Sequence, residues 1–148
     1  MARQTCEVTI DAGVALLVGA AAHTGFQLTM TALVYPALVA TPADGWARVH
    51  DRHSRRIVPL VALQYGGLVV SGVWVVAFEP LRPVWVMALA GVATTVVVTG
   101  VLAAPLHGRL GTVGPRPELL RRLLWVDRIR AVLAVVTLLT AAAGTLTR

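Results

Sequence analysis

Four long stretches of this chain contain no Asp, Glu, Lys or Arg: residues 12–43, 57–78, 83–108 and 131–147. A helix needs about 20 apolar residues to cross a bilayer core. Four such runs in 148 residues leave almost nothing for a soluble domain. Only 14% of the residues are charged, where a soluble domain carries about a quarter. The expected architecture is therefore all-α: a single integral-membrane four-helix bundle over residues 1–148, with spans near 10–40, 57–78, 84–107 and 124–146. The last charge-free run is short for a span, so a full crossing draws in residues 125–130.

The charges fix an expected topology. All thirteen basic residues are Arg, and the net charge is +6. Arg48, Arg52, Arg55 and Arg56 follow the first run; Arg109, Arg116, Arg121 and Arg122 follow the third. The opposite side holds only Arg3, Arg82 and Arg148. Basic loops stay in the cytoplasm, which predicts loops one and three inside and both termini outside. The basic balance thus reads as topology, and nucleic acid is excluded as a partner. A lone Cys6 excludes a disulfide framework and a Cys metal cluster. The amino terminus lacks a short apolar core with a small-residue cleavage site, so the first span is expected to be retained. Arg without Lys, beside abundant Ala, Val and Gly, points to a GC-rich bacterial genome and so to a bacterial inner membrane.

Polar residues inside the spans fall into lines. His23, Gln27, Thr31 and Tyr35 recur every four residues, as do Thr95, Thr99, Ala103 and His107. Such lines are expected to face other helices. Thr41-Pro42 predicts a helix start with a capping hydroxyl. The amphipathic segment that follows, 43–58, is expected at the interface, with Trp46, His50, His53 and Ile57 on its apolar face. Pro59 marks a kink or the start of span two, which carries Gln64. Residues 111–117 read as a loop. In span four, Arg130, Ala134, Thr137, Ala141 and Gly144 form a packing stripe. Asp127 lies one turn before Arg130, in reach of an ion pair. Arg128 points away and is placed to snorkel to headgroups.

Three constellations carry candidate chemistry. His50-x-x-His53 with His107 has the spacing of a metal-ligand set, and Asp127 or Tyr35 would add an oxygen; iron or copper suits that mixture. The structural alternative is interfacial histidines that bind headgroups or loop carbonyls. Asp127 with Arg130, Arg128 and Arg56 is either a structural pair or an oxyanion site oriented by a carboxylate. The line from His23 to Tyr35 is either interhelical hydrogen bonding or a proton path. Trp46 and Trp125 belong to an interfacial aromatic belt, or line a pocket for a flat substrate.

The strings LVYPAL (33–38), HDRHSRRIVP (50–59), APLHGRL (104–110) and WVDRIR (125–130) together resemble the anthrone-oxygenase-like family of small four-helix membrane proteins. The resemblance covers roughly residues 24–135. It implies a four-helix membrane bundle whose characterised relatives oxidise aromatic polyketides such as anthrones to quinones. By motif, His50, His53 and Arg56 match the basic stretch after the first helix, Pro105 and His107 the end of the third, and Trp125 and Arg128 the start of the fourth. The anthrone enzymes carry Asn where this chain has His107.

The expectation is an integral-membrane oxidoreductase or oxygenase acting on a lipophilic, aromatic or polyketide-type molecule. His50, His53 and His107 would bind metal or act as acid and base. Arg56, Arg128 or Arg130 would hold oxyanion charge, and Tyr35 and Asp127 would position groups or relay protons. Trp46, Gln27, Gln64, Trp125 and Arg128 would contact substrate. A cofactor-free cyclase or isomerase, and a non-catalytic binding, transport or scaffold protein, are the alternatives. The expected partners are the lipid bilayer and the small molecule, with a homo-oligomer left open.

Overall fold

The computed structural model describes residues 11–147; Arg3, Cys6, the expected span start at residue 10 and Arg148 lie outside them. Four helices are long and apolar enough to cross a membrane: α1 (Ala12–Val39), α2 (Ala43–Phe78), α3 (Pro83–Val113) and α4 (Pro117–Leu146). The chain is an all-α integral-membrane four-helix bundle. Short connections at 40–42, 79–82 and 114–116 make sequential helices antiparallel.

Helix ends differ from the expected ones in instructive ways. Asp11 caps α1, its carboxylate accepting from the Val14 amide at 2.8 Å. Thr41 does not cap α2: its hydroxyl bonds back to the Ala37 carbonyl at 3.2 Å, and Pro42 stands at the cap with no side-chain bond. Pro59 lies inside α2, which runs unbroken for 36 residues, so the amphipathic segment and span two are one helix. The expected loop at 111–117 shrinks to three residues. Gly111 and Thr112 stay helical, and α3 stops only where Gly114 takes a φ of 81°. Span four starts earlier, at Pro117, so Asp127 and Arg130 lie well inside a helix.

Two π turns were not foreseen. Met30–Val34 in α1 and Thr99–Ala103 in α3 are wound with five-residue spacing. Their purpose is legible in the polar lines. Steps of four residues drift about 40° each around an α-helix. A π turn absorbs one extra residue and cancels most of the accumulated drift. His23, Gln27 and Tyr35 all remain buried as a result, and Thr95, Ala103 and His107 keep to one side of α3.

The core has two apolar clusters. One, at the end of the bundle far from the Arg-rich loops, joins Leu16, Ala20, Leu68, Val75, Trp85, Val92 and Ala141. The other, at the Arg-rich end, joins Met30, Tyr35, Leu38, Trp46, Leu110, Leu119 and Leu123. Along each helix, a layer of buried polar groups falls between them: His23, Thr24, Gln27, Tyr65, Asp127 and Arg130. Small residues let the helices approach. A Cβ on Gly144 would lie 2.8 Å from the Trp85 ring, and one on Gly91 would run into the Thr137 hydroxyl. The stripe from Arg130 through Ala134, Thr137, Ala141 and Gly144 is buried throughout, as its pattern predicts. Helix α4 packs on α1 and α3, and α1 on α2; of the neighbouring pairs, α2 and α3 touch least.

Candidate functional site

Where α2 and α3 separate, a cavity of about 620 Å³ enters the Arg-rich half of the bundle. Its walls are mostly apolar, with Phe26 and Met30 from α1, Ile57 and Val61 from α2, and Ala103 and Ala104 from α3. The polar groups that reach it are few: Tyr35, His50, Thr99, His107 and Arg130, with Asp51, Ser54 and Thr112 also in the wall. Convergent polar groups in an apolar cavity of this size are the usual form of a small-molecule site.

His107 and Tyr35 form its first polar unit. The Tyr35 hydroxyl and His107 Nε2 lie 3.1 Å apart, with either as donor. The π turn in α3 turns His107 into the cavity, and the one in α1 does the same for Tyr35. Around them the other imidazoles gather face to face. His50 and His53 lie 5.7 Å and 5.9 Å from His107 between ring centroids, tilted by 28° and 29°. Trp46 supports His50 from behind, stacked at 5.4 Å, while its Nε1 donates to the Leu110 carbonyl at 3.3 Å. Nε2 of His50 and Nε2 of His53 are buried without a hydrogen-bond partner.

The expected grouping of His50, His53 and His107 is therefore present, but as a stack. A metal binds in the plane of an imidazole, along a nitrogen lone pair. Nearly parallel rings almost 6 Å apart do not aim three lone pairs at one centre. Among the described residues, no three His, Cys, Asp or Glu side chains form a group that could hold a metal ion. The iron or copper expectation does not fit this arrangement.

The second polar unit lies deeper. Arg130 Nη2 donates to the Tyr65 hydroxyl at 3.1 Å, and that hydroxyl meets the Thr99 hydroxyl at 2.7 Å. Arg130 Nη1 stands 3.9 Å from Asp127 Oδ1, a long ion pair buried on both sides. The same Oδ1 accepts from Gln27 Nε2 at 2.5 Å. Thr31, bonded to the Gln27 carbonyl at 3.0 Å, stands beside this carboxylate. Gln27 thus serves the Asp127 carboxylate rather than a substrate. His23 packs edge-on against the Tyr65 ring at 5.0 Å, and neither of its nitrogens has a partner.

Several expected site residues lie elsewhere. Arg56 is exposed on the outer side of α2, next to Arg55 of the Asp51–Arg55 surface pair. Arg128 is exposed on α4, as its position opposite Arg130 implied. Trp125 is 61% exposed and borders a separate shallow groove with Arg109 and Arg122. Gln64 is half-buried but not part of the cavity wall. Trp46, read as a belt residue, is buried behind His50. Tyr65 was missed. Its only signal is a tyrosine three residues before Leu68, on the helix face that packs inward.

Comparison with known proteins returns no matching family model, no similar curated protein and no similar solved structure.

Proposed function

We propose that this protein is an integral-membrane oxygenase acting on a lipophilic, aromatic small molecule that enters between α2 and α3. The observation that carries this reading is the His107–Tyr35 pair on the wall of an apolar cavity, with the Arg130 guanidinium below it. The resemblance of the four sequence strings to the anthrone-oxygenase-like family supports it. The protein sits in a bacterial inner membrane with its Arg-rich end in the cytoplasm.

The chemistry its own side chains supply is proton transfer. Tyr35 Oη takes a proton from an acidic substrate C–H while its own proton passes to His107 Nε2. The electron pair of the broken C–H bond stays on the substrate and delocalises onto its oxygen. Arg130 holds that negative charge in a water-poor site, where a fixed cation counts most. The carbanion reduces dioxygen dissolved in the bilayer, forming a C–O bond. Loss of water from the resulting hydroperoxide leaves a ketone, so one CH₂ and one O₂ give one C=O and one H₂O.

Anthrone is the test substrate, offered to purified protein in lipid nanodiscs while oxygen uptake and quinone absorbance are followed. His107→Ala and Tyr35→Phe should each slow turnover by about 10²-fold or more, whereas Arg56→Gln and Arg128→Gln should leave it unchanged. Wild-type protein that consumes no oxygen and forms no quinone sinks the oxygenase reading. Elemental analysis of the same sample reports whether a metal accompanies activity. The stacked imidazoles favour one second reading, a cofactor-free cyclase or isomerase that stops at proton transfer. It predicts product formation without oxygen uptake.

A further inference from the structure

The Arg130 side chain is almost fully buried, yet it reaches the cavity wall. A guanidinium has five N–H donors. One is used at ordinary length, toward Tyr65. Asp127 stands at 3.9 Å and is already engaged by Gln27 at 2.5 Å. The Tyr35 hydroxyl lies beside the group. Nε has no partner at all. A buried guanidinium on a cavity wall, with one donor unpartnered and its own carboxylate held off at 3.9 Å, keeps capacity for a second anion.

We propose that the cavity binds the carboxylate of a lipophilic acid, with Arg130 as the residue that receives it. The inference rests on the cavity reading above: the guanidinium that would hold a developing oxyanion also receives a charge that a ligand already carries. A guanidinium matches a carboxylate by two parallel N–H···O bonds along one edge, and the free Nε belongs to such an edge. Tyr65, itself bonded to Thr99, takes one proton of Nη2, the other nitrogen of that edge, and so anchors the guanidinium before the ligand arrives. The acid enters carboxylate first, and its apolar body lies along Phe26, Met30 and Ile57. Neutral isosteres fill the same space but leave the Arg130 donors unpaired.

The probes are anthracene-2-carboxylate, which is flat and fluorescent, and its neutral carboxamide, each titrated into protein in nanodiscs after subtraction of empty discs. The carboxylate should bind at least about tenfold tighter than the amide, as a charge-assisted bidentate pair requires. Arg130→Lys keeps the charge but loses the fork, and should remove most of that preference; Arg128→Gln should keep it. Dodecanoate as competitor separates two sources of the acid. Displacement at similar concentration identifies fatty acids as ligands, and failure to displace identifies flat aromatic acids; both support the proposal. Equal affinity for acid and amide overturns it, as does an unaltered preference in Arg130→Lys or failure of both probes to bind. Anthrone carries no carboxylate, so its turnover reports on the proton-transfer reading alone.

Discussion

At the residue scale, Asp127 and Arg130 show how little of an ion pair's role is visible in its spacing. The two lie one turn apart on α4, which predicts a contact, and one forms at 3.9 Å. What the spacing could not show is that Gln27, a hundred residues away in sequence, takes the nearer position on the carboxylate. Nor could it show that Tyr65 takes the guanidinium. Gln64 and Tyr65 are neighbours about 100° apart on α2, and which one faces α4 depends on how the whole of that long helix is rotated. Removing one buried charge strands the other. Asp127→Ala should therefore lower stability by about 3–5 kcal/mol, while Asp127→Leu combined with Arg130→Met should lose much less than the sum of the single changes. Unfolding in mixed detergent, followed by circular dichroism, measures both; strict additivity would refute the coupling.

At the element scale, the π turns explain why lines of polar residues with a period of four stay on the inward side, buried or half-buried, over three steps. Without them Tyr35 would stand about 120° from His23 around α1. The period was readable in the sequence, but an α-helix was the wrong frame for it, and only the packed structure shows where the extra residue is absorbed. A deletion distinguishes the two. Loss of exposed Leu33 from the π turn should convert it to ordinary helix and leave the flanking faces aligned. Loss of exposed Val18 from the regular part of α1 should rotate the preceding turns by about 100° and break their packing. Melting temperature reports the contrast, and equal damage from both deletions would count against the re-phasing role. The α3–α4 contact allows a second check. Gly91→Ala places a methyl group against the Thr137 hydroxyl and should cost about 1–3 kcal/mol. Thr137→Ala in the same chain should recover most of the loss, whereas no recovery would place the strain elsewhere.

At the scale of the whole molecule, the apolar runs announce the number of helices because a bilayer demands length and charge-free sequence, and both are one-dimensional properties. The cavity is not one-dimensional. It exists because α2 and α3 diverge where α1 and α4 hold together, and no local pattern encodes that divergence. The distribution of charge links the two levels. Eight of the Arg flank the cavity end of the bundle, at positions 48, 52, 55, 56, 109, 116, 121 and 122, and the topology proposed from the positive-inside rule would put the cavity on the cytoplasmic side. Alkaline phosphatase, active only after export, should report strongly when fused after residue 80 or at the carboxyl terminus and stay silent when fused after residue 115. Replacing Arg109, Arg116, Arg121 and Arg122 with Gln, and adding four Lys to the 79–82 turn, should weaken or invert that pattern while the four spans persist. The reverse pattern in the wild-type chain would put the cavity outside, away from a cytoplasmic supply of substrate, and would take the inside-facing part of the functional proposal with it.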